Sequence, residues 1–439
     1  MRLAASVLAL ALAGTSARAI SWPIPPVDSV HPIGHTWGNY INFGSGNFHA
    51  AVDIMTLDQP DVPVIAVAPG WVKAWGTNGG REFWNLATSD SSPDFTGRAP
   101  GWQYTHIDPD RPHKQLGDPV ETGDTLGYVV NWFVPGFDHL HFARISDTGA
   151  YWSRFPNQTW WTIENPLLTM EPVWDTVAPA FRDALPSQRF AFCTDETGSY
   201  LQPDSLRGDI DIVARVHDLT GLTSHTAWDT VAPYQLEYCI LDSARTAVVP
   251  WTLAVQFSNL LDRPDVYVVY KYDATCRSYG DYTRRDYFFT VSNTDGDSII
   301  EAGDRAGCWP TAAFPDGLYQ VLVRVADAVG NVALDSMAVR VRNAGAIAEQ
   351  ESVRGYYPLS VSPNPGRGPA RVSFGIGKPA RVRLRVLDAA GRVAARPVDG
   401  RLPPGEHVFR DLGLNPGVYL VELTLNGDDR YSTKLVLAR

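Results

Sequence analysis

Glycine and proline decide the architecture. The chain holds 37 Gly and 33 Pro among 439 residues, dispersed along its length. In a helix interior glycine costs about 1 kcal/mol and proline about 3 kcal/mol relative to alanine, so long helices have little room to form. Between these breakers lie short extended runs. Val64 to Ala68, Gly70 to Trp75, Thr125 to Asn131 and Leu140 to Ile145 are strand-like, and Pro69-Gly70, Gly79-Gly80 and Pro135-Gly136 turn the chain around them. Asp209 to Val216 and Tyr319 to Val325 alternate apolar and polar residues, and Asp327-Ala328-Val329-Gly330-Asn331 makes a hairpin-like turn before Ala338 to Val341. Arg381 to Val386 and Val418 to Leu425 alternate again, with Gly391, Gly405 and Gly417 at the turns. A period of two is that of half-buried strands. The expected fold class is all-β.

The first residues point to export. Arg2, the apolar stretch Leu3 to Leu12 and the small-x-small Ala17-Arg18-Ala19 make up a secretory signal peptide, 1–19. The apolar stretch falls short of the ~20 residues that span a bilayer, and no later stretch is long enough. The remainder is sized for two to four domains. Changes in composition divide it into 20–171, rich in Trp, His and Gly, a β-sandwich at 172–346, a small and polar linker at 347–355, and a third unit at 356–439. The formal charge is −11. The acidic balance of the body excludes nucleic acid as the main partner, and the basic residues after Glu351 alternate with apolar ones as on a solvated strand face. Cys193, Cys239, Cys276 and Cys308 form an even set in an exported chain, which predicts up to two disulfides with three pairings open.

Seven of the ten histidines fall in the first segment: His31, His35, His49, His106, His113, His139 and His141. In Phe48-His49-Ala50-Ala51-Val52-Asp53-Ile54 the apolar residues share one face of an extended chain. His49 and Asp53 share the other. A straight strand would hold their Cα atoms about 13 Å apart, while zinc bonds to such ligands are about 2 Å long. Joint coordination therefore requires a bend or bulge between them. In Asp138-His139-Leu140-His141-Phe142 both imidazoles face one way, and Leu140 and Phe142 face the core. Tyr104-Thr105-His106-Ile107 supplies another imidazole in a similar apolar frame. Three protein ligands and an open fourth position mark a catalytic zinc, and this set offers three ligands with two histidines to spare. His31, His35 and His113 have no partner at ligand spacing and read as ordinary polar or turn residues.

These residues resemble the lysostaphin/LytM-type zinc metalloendopeptidases of the duplicated-hybrid-motif class, many of which cut peptidoglycan peptides. The family's His-x-Gly-x-Asp, Tyr-x-His and His-Leu-His-Phe segments are similar to His49–Asp53, Tyr104–His106 and His139–Phe142. Val64 to Val72 and Val120 to Gly127 are similar to two further family runs, and the resemblance spans roughly 30 to 146. It implies an antiparallel β-sheet metallopeptidase domain with His49, Asp53 and His141 as metal ligands, Zn2+ as cofactor, and His106 and His139 as catalytic residues. Its substrate would be a peptide or peptidoglycan. Ala51 stands where the family has glycine. The segment before His139 is altered, and Asn85 to Gly101 is a long polar insert. These departures leave open an inactive, metallopeptidase-like binding or regulatory module at the cell surface.

The third unit resembles the C-terminal immunoglobulin-like sorting domain of type IX secretion cargo. Ser362-Pro363-Asn364-Pro365, Val386 to Arg392, Pro416-Gly417-Val418-Tyr419 and Lys434-Leu435-Val436 carry that likeness. It implies the type IX secretion machinery as a partner and a secreted or cell-surface location in a bacterium; with the immunoglobulin-like sandwich read from the alternation in 172–346, two such sandwiches are expected behind the first domain. A monomer is expected. Trp102, Trp132 and Phe133 are candidates for a substrate groove, with core packing the plainer reading. Asn293 to Asp297 with Glu301 and Asp304 has part of a calcium-loop pattern and reads as a solvated acidic loop. Asn157-Gln158-Thr159 is a glycosylation sequon by pattern.

Overall fold

The structure, a computed structural model, describes residues 19–343 and 359–438, apart from 44, 78, 151, 153–161, 174, 220–229, 259–264, 281–284, 363, 365, 367–369, 377–378, 404, 411 and 427–428. Nearly all of the expected signal segment, the linker 347–355 and the Asn157 sequon lie outside the described residues. The fold is all-β, and its described helices are single turns or little more. No described helix is long and apolar enough to cross a membrane. The chain divides into two compact units, one ending at Val341 and one starting at Arg342.

In the first unit an eight-stranded antiparallel sheet runs in the order Ile33–His35, Val52–Met55, His139–Asp147, Gly101–Thr105, Asn85–Ser89, Gly70–Gly76 and Pro119–Val120, with Thr162–Glu164 also paired to His139–Asp147. One face packs Val52, Ile54, Leu86, Trp102, Tyr104, Leu140 and Phe142 into a core. Alternation therefore turns the intervening residues to the opposite face. Gly101 is demanded by close approach, because a Cβ there would collide with the Thr88 carbonyl oxygen. The stretch from Asn85 that reads as a polar insert is different in the structure. Its first five residues, Asn85–Ser89, are a fully buried inner strand of the sheet, because Asn85 and Thr105 satisfy each other's side chains across the strand pair.

The same unit contains a β-sandwich. One sheet is built around the long strand Asp209–Leu219, flanked by Ala180–Arg182 and Phe190–Thr194 and also paired with Tyr287–Thr290. The other runs Ala247–Gln256, Gln235–Leu241, Gly317–Ala326 and Val332–Val341. Phe192, Ile212, Ile240 and Val323 belong to their common core, and so do Trp37, Tyr40 and Phe48 from beside the first sheet. Truncating a buried Phe or Trp to alanine costs roughly 3–5 kcal/mol, so these aromatics bind the first sheet firmly to the sandwich. The expected disulfides are corrected: all four cysteines are free thiols. Cys193 approaches Asp211 and Cys276 approaches the Tyr200 hydroxyl at 3.1 Å, so each has its own polar neighbour. Burial pushes the Cys193 and Cys276 thiols up to about 12.

The second unit is a smaller sandwich. Ser360–Ser362, Arg371–Ile376 and Gly405–Arg410 form one sheet, and Val393–Leu402, Ala380–Leu387, Gly417–Leu425 and Asp429–Leu437 form the other. Val372, Phe374, Val382, Leu384, Val421 and Leu435 close the core between them.

Candidate metal centre

Strand register assembles the site. His35 pairs with Asp53, and Asp53 pairs with His141, so three neighbouring strands present His35, Asp53 and His141 side by side. Directly opposed residues on adjacent strands share a face. His139 lies two positions before His141 and shares that face too. His106 follows Gly101–Thr105, next to the Thr105 that pairs with His141. Its backbone is held at φ 69°, a left-handed conformation that costs about 1–3 kcal/mol in a non-glycine residue and persists where its surroundings impose it. Here the backbone is fixed at both ends, by Trp84 O accepting from His106 N at 2.9 Å and His106 O accepting from Val130 N at 2.8 Å.

His49 arrives by the bend that the spacing demands. Strand pairing ends at Phe48 and resumes at Val52, with a bend at Ala51. Gly38 N donates to His49 O, and His49 N donates to Asn39 O, both at 2.8 Å. Ala51 is fully buried and keeps out of the positive-φ region, so its methyl group is accommodated without strain.

The result is a compact triangle of donors. His49 Nε2 lies 3.0 Å from Asp53 Oδ1 and 3.1 Å from His141 Nδ1, and His141 Nδ1 lies 3.0 Å from Asp53 Oδ1. Two ligands of a tetrahedral zinc, each 2.0–2.1 Å from the ion, are about 3.3 Å apart. The three atoms therefore fit one zinc ion with little movement. Their orientation is fixed from outside, since His49 Nδ1 donates to Thr36 O at 3.1 Å and so leaves Nε2 to face the triangle. His49 and Asp53 are buried, while His141 is 21 % exposed.

His139 and His106 stand beside this triangle. Their rings are 4.5 Å apart, and His139 Nε2 lies 3.6 Å from Asp53 Oδ1. Each donates Nδ1–H to a backbone carbonyl, His139 to Phe137 O at 2.7 Å and His106 to Glu82 O at 2.6 Å. Each ring therefore keeps its Nε2 free of that anchor, and that of His139 faces Asp53. Burial, reinforced by the neighbouring His139 and His141, holds His106 well below the usual imidazole range. Burial also lowers His141, against the hydrogen bond it donates to Asp53. Burial alone would raise the Asp53 carboxyl, but His49 and His139, with hydrogen bonds from His141 and His35, hold it well below the usual carboxylate range. The lowered His106 and His141 beside an ionised Asp53 match what a metal needs, neutral imidazole and ionised carboxylate.

His35 is a correction. It reads as an ordinary residue in the sequence, yet its Nδ1 lies 2.7 Å from Asp53 Oδ2. Its Nε2 lies 3.0 Å from Arg285 Nη2, contributed by the sandwich 250 positions away. A guanidinium only donates, so His35 Nε2 accepts and Nδ1–H donates to Asp53. His35, His49 and Asp53 are close enough to share an ion, but both nitrogens of His35 are already used. It braces Asp53 and has no nitrogen left to coordinate an ion. Burial, then the Arg285 charge, pushes His35 down to about 3, which keeps it in this neutral form.

Among the aromatics, Trp102 is core, stacked on Phe142 at 5.3 Å. Trp132 packs on His106 at 4.4 Å and on Phe133, which is 62 % exposed. These two form a rim at the site. His31 bonds to Pro26 O and His113 packs on Tyr128, away from the centre. In the acidic loop, Asp295, Asp297 and Asp304 accept from their own neighbouring backbone N–H groups.

No protein-family model matches the chain, and no curated protein matches it. Among solved structures, the catalytic domain of the antimicrobial peptidase lysostaphin from Staphylococcus simulans is similar at 21 % identity, over 31 % of this chain and 90 % of that one, with a TM-score of 0.24. Lysostaphin from the same organism is similar at 16 % identity, over 52 % of this chain and 94 % of that one, also with a TM-score of 0.24. Dimeric latent PorU from Porphyromonas gingivalis is similar at 14 % identity, over 84 % of this chain and 34 % of that one, with a TM-score of 0.19. At these identities and TM-scores the likenesses establish neither family nor activity, and the case for the centre rests on its donor geometry.

Proposed function

We propose that the protein is a secreted zinc-dependent metalloendopeptidase that cuts peptide bonds in peptidoglycan or another extracellular peptide. The observation that carries this reading is the His49–Asp53–His141 donor triangle with two further imidazoles turned toward it. His49, Asp53 and His141 would hold the ion. A zinc ion bound there supplies Lewis acidity toward a peptide carbonyl and lowers the pKa of water. His106 and His139 each keep Nε2 free with Nδ1–H anchored on a carbonyl. One of them would accept the proton of the attacking water at Nε2 and pass it to the leaving amine, and the other, when protonated at Nε2, would donate a hydrogen bond to the carbonyl oxygen as its charge develops. Trp132 and Phe133 would flank the peptide. The second unit would carry the protein through type IX secretion to the cell surface or medium, with the protein acting as a monomer.

The test is the metal content of the purified protein, followed by hydrolysis of muropeptides and a peptide library. One zinc per chain and cleavage by the native protein, both lost in His141→Ala, are expected. Stoichiometric zinc with no cleavage of any peptide would replace this reading with the binding module.

A further inference from the structure

A second cluster lies in the first unit away from the histidines. Oxygens of Asp175, Asp218 and Asp327 all come within 4.8 Å of one another. They line a cavity of about 30 Å³, room for one ion or one water molecule. Asp175 lies on the segment entering the sandwich. Asp218 lies near the end of Asp209–Leu219, and Asp327 lies on the turn between Gly317–Ala326 and Val332–Val341. Three separate stretches of chain thus bring carboxylates to one point.

Asp218 is the second observation. It is only 4 % exposed and lines the cavity. Its Oδ1 accepts from Leu219 N at 2.9 Å, and its Oδ2 accepts from no donor among the described residues. Asp175 Oδ1 accepts from Val177 N, whereas Asp327 is held on both oxygens, Oδ1 by the backbone of Val329, Gly330 and Asn331 and Oδ2 by the Asn331 side-chain amide at 2.7 Å. No Lys or Arg among the described residues is ion-paired with any of the three. A buried carboxylate without a counter-charge is costly.

We propose that Asp175, Asp218 and Asp327 form a calcium site that ties the entry segment to the sandwich. All-oxygen donors select a hard cation. Calcium accepts irregular oxygen cages such as carboxylates from three separate stretches of chain make, while magnesium demands a near-ideal octahedron. Burial, then repulsion from Asp327 and Asp175, raises the Asp218 carboxyl to about 8, and burial raises Asp175 to about 6 against the hydrogen bond from Val177 N. The cavity is also lined by Thr36, whose carbonyl positions His49.

The experiment uses the full-length chain, zinc-loaded and freed of calcium by passage over a chelating resin. Calcium chloride is titrated in by calorimetry, and thermal unfolding is followed with magnesium chloride as control. One calcium per chain is expected with a dissociation constant of about 10⁻⁴–10⁻³ M, the range of extracellular sites. Tm should rise by roughly 3 °C at saturating calcium. Asp218→Asn should lose the calcium response, and its calcium-free Tm should be no lower than that of the native chain, because the amide replaces a carboxyl that burial already drives to its neutral form. Asp175→Asn repeats the test at a less buried position should the first variant misfold. Absence of calcium binding in the native chain, or undiminished affinity in the folded variants, overturns the proposal. So does loss of binding in Asp295→Asn instead, which would place the ion in the acidic loop.

Discussion

The two buried polar clusters of the first unit solve the same problem in opposite ways. Around Asp53 the charge is met by imidazoles, and each outer nitrogen of His49, His106 and His139 is anchored on a backbone carbonyl. Around Asp218 three carboxylates come together, and no Lys or Arg among the described residues is ion-paired with them. The first arrangement is preorganised and tolerates an empty centre, since Asp53 keeps its hydrogen bonds from His35 and His141. The second is at odds with itself until a cation or protons arrive. Nitrogen-rich and braced, the one suits zinc; oxygen-only and strained by repulsion, the other suits calcium.

The largest break in that comparison is removal of a triangle member. His49→Ala should release zinc and abolish hydrolysis, yet leave the calcium-dependent rise in Tm intact. Elemental analysis and paired melting curves check both halves, and loss of the calcium response would show that the clusters are one system. The next effect is expected at the two spare imidazoles. His106→Ala and His139→Ala should each keep zinc and lower kcat by about 10²–10⁴-fold, the usual weight of general acid–base catalysis. Zinc loss in either variant would move that residue into the ligand set.

A smaller effect is expected from the brace. Arg285→Ala leaves His35 free to turn away from Asp53. Removal of such an outer partner typically weakens metal affinity 10–100-fold, measured here by competition with a chromogenic chelator. Cobalt-substituted protein should show an altered visible spectrum, and Arg285→Lys should restore part of the affinity through a single donor. Unchanged affinity and spectrum in Arg285→Ala would reduce the contact to simple packing. By contrast, Asp218→Asn should leave zinc content and kcat as they are.

Much of the metal centre was legible because it is written in strand parity. His139 and His141, two apart, had to share a face, and the 13 Å problem between His49 and Asp53 required the bend found at Ala51. His35 was not legible. It enters through cross-strand pairing with Asp53, and pairing leaves no mark in local spacing. Arg285 was still further from view, since it reaches the site from the sandwich. The acidic cluster was hidden for the same reason: Asp327 reads as a turn residue, and nothing in the local sequence marks Asp175 or Asp218 until the sandwich closes. Cysteine count misled in the other direction, because an even number says nothing about where folding places each thiol.

The smallest expected effect lies where the two clusters meet. Thr36 lines the acidic cavity, and its hydroxyl donates to Asn39 Oδ1 at 2.8 Å and approaches Ala232 O at 3.1 Å. Its carbonyl meanwhile accepts from His49 Nδ1. Thr36→Val removes the hydroxyl and keeps both shape and main chain. The buried hydrogen bonds between the first sheet and the sandwich weaken, at a cost of about 1–3 kcal/mol when a partner is left unsatisfied. The support of His49 is a backbone atom and stays. Chemical denaturation should therefore show lower stability, and zinc affinity by chelator competition should not change. If zinc affinity falls in step with stability, Thr36 transmits strain from the acidic junction to the metal centre, and the two clusters act together instead of side by side.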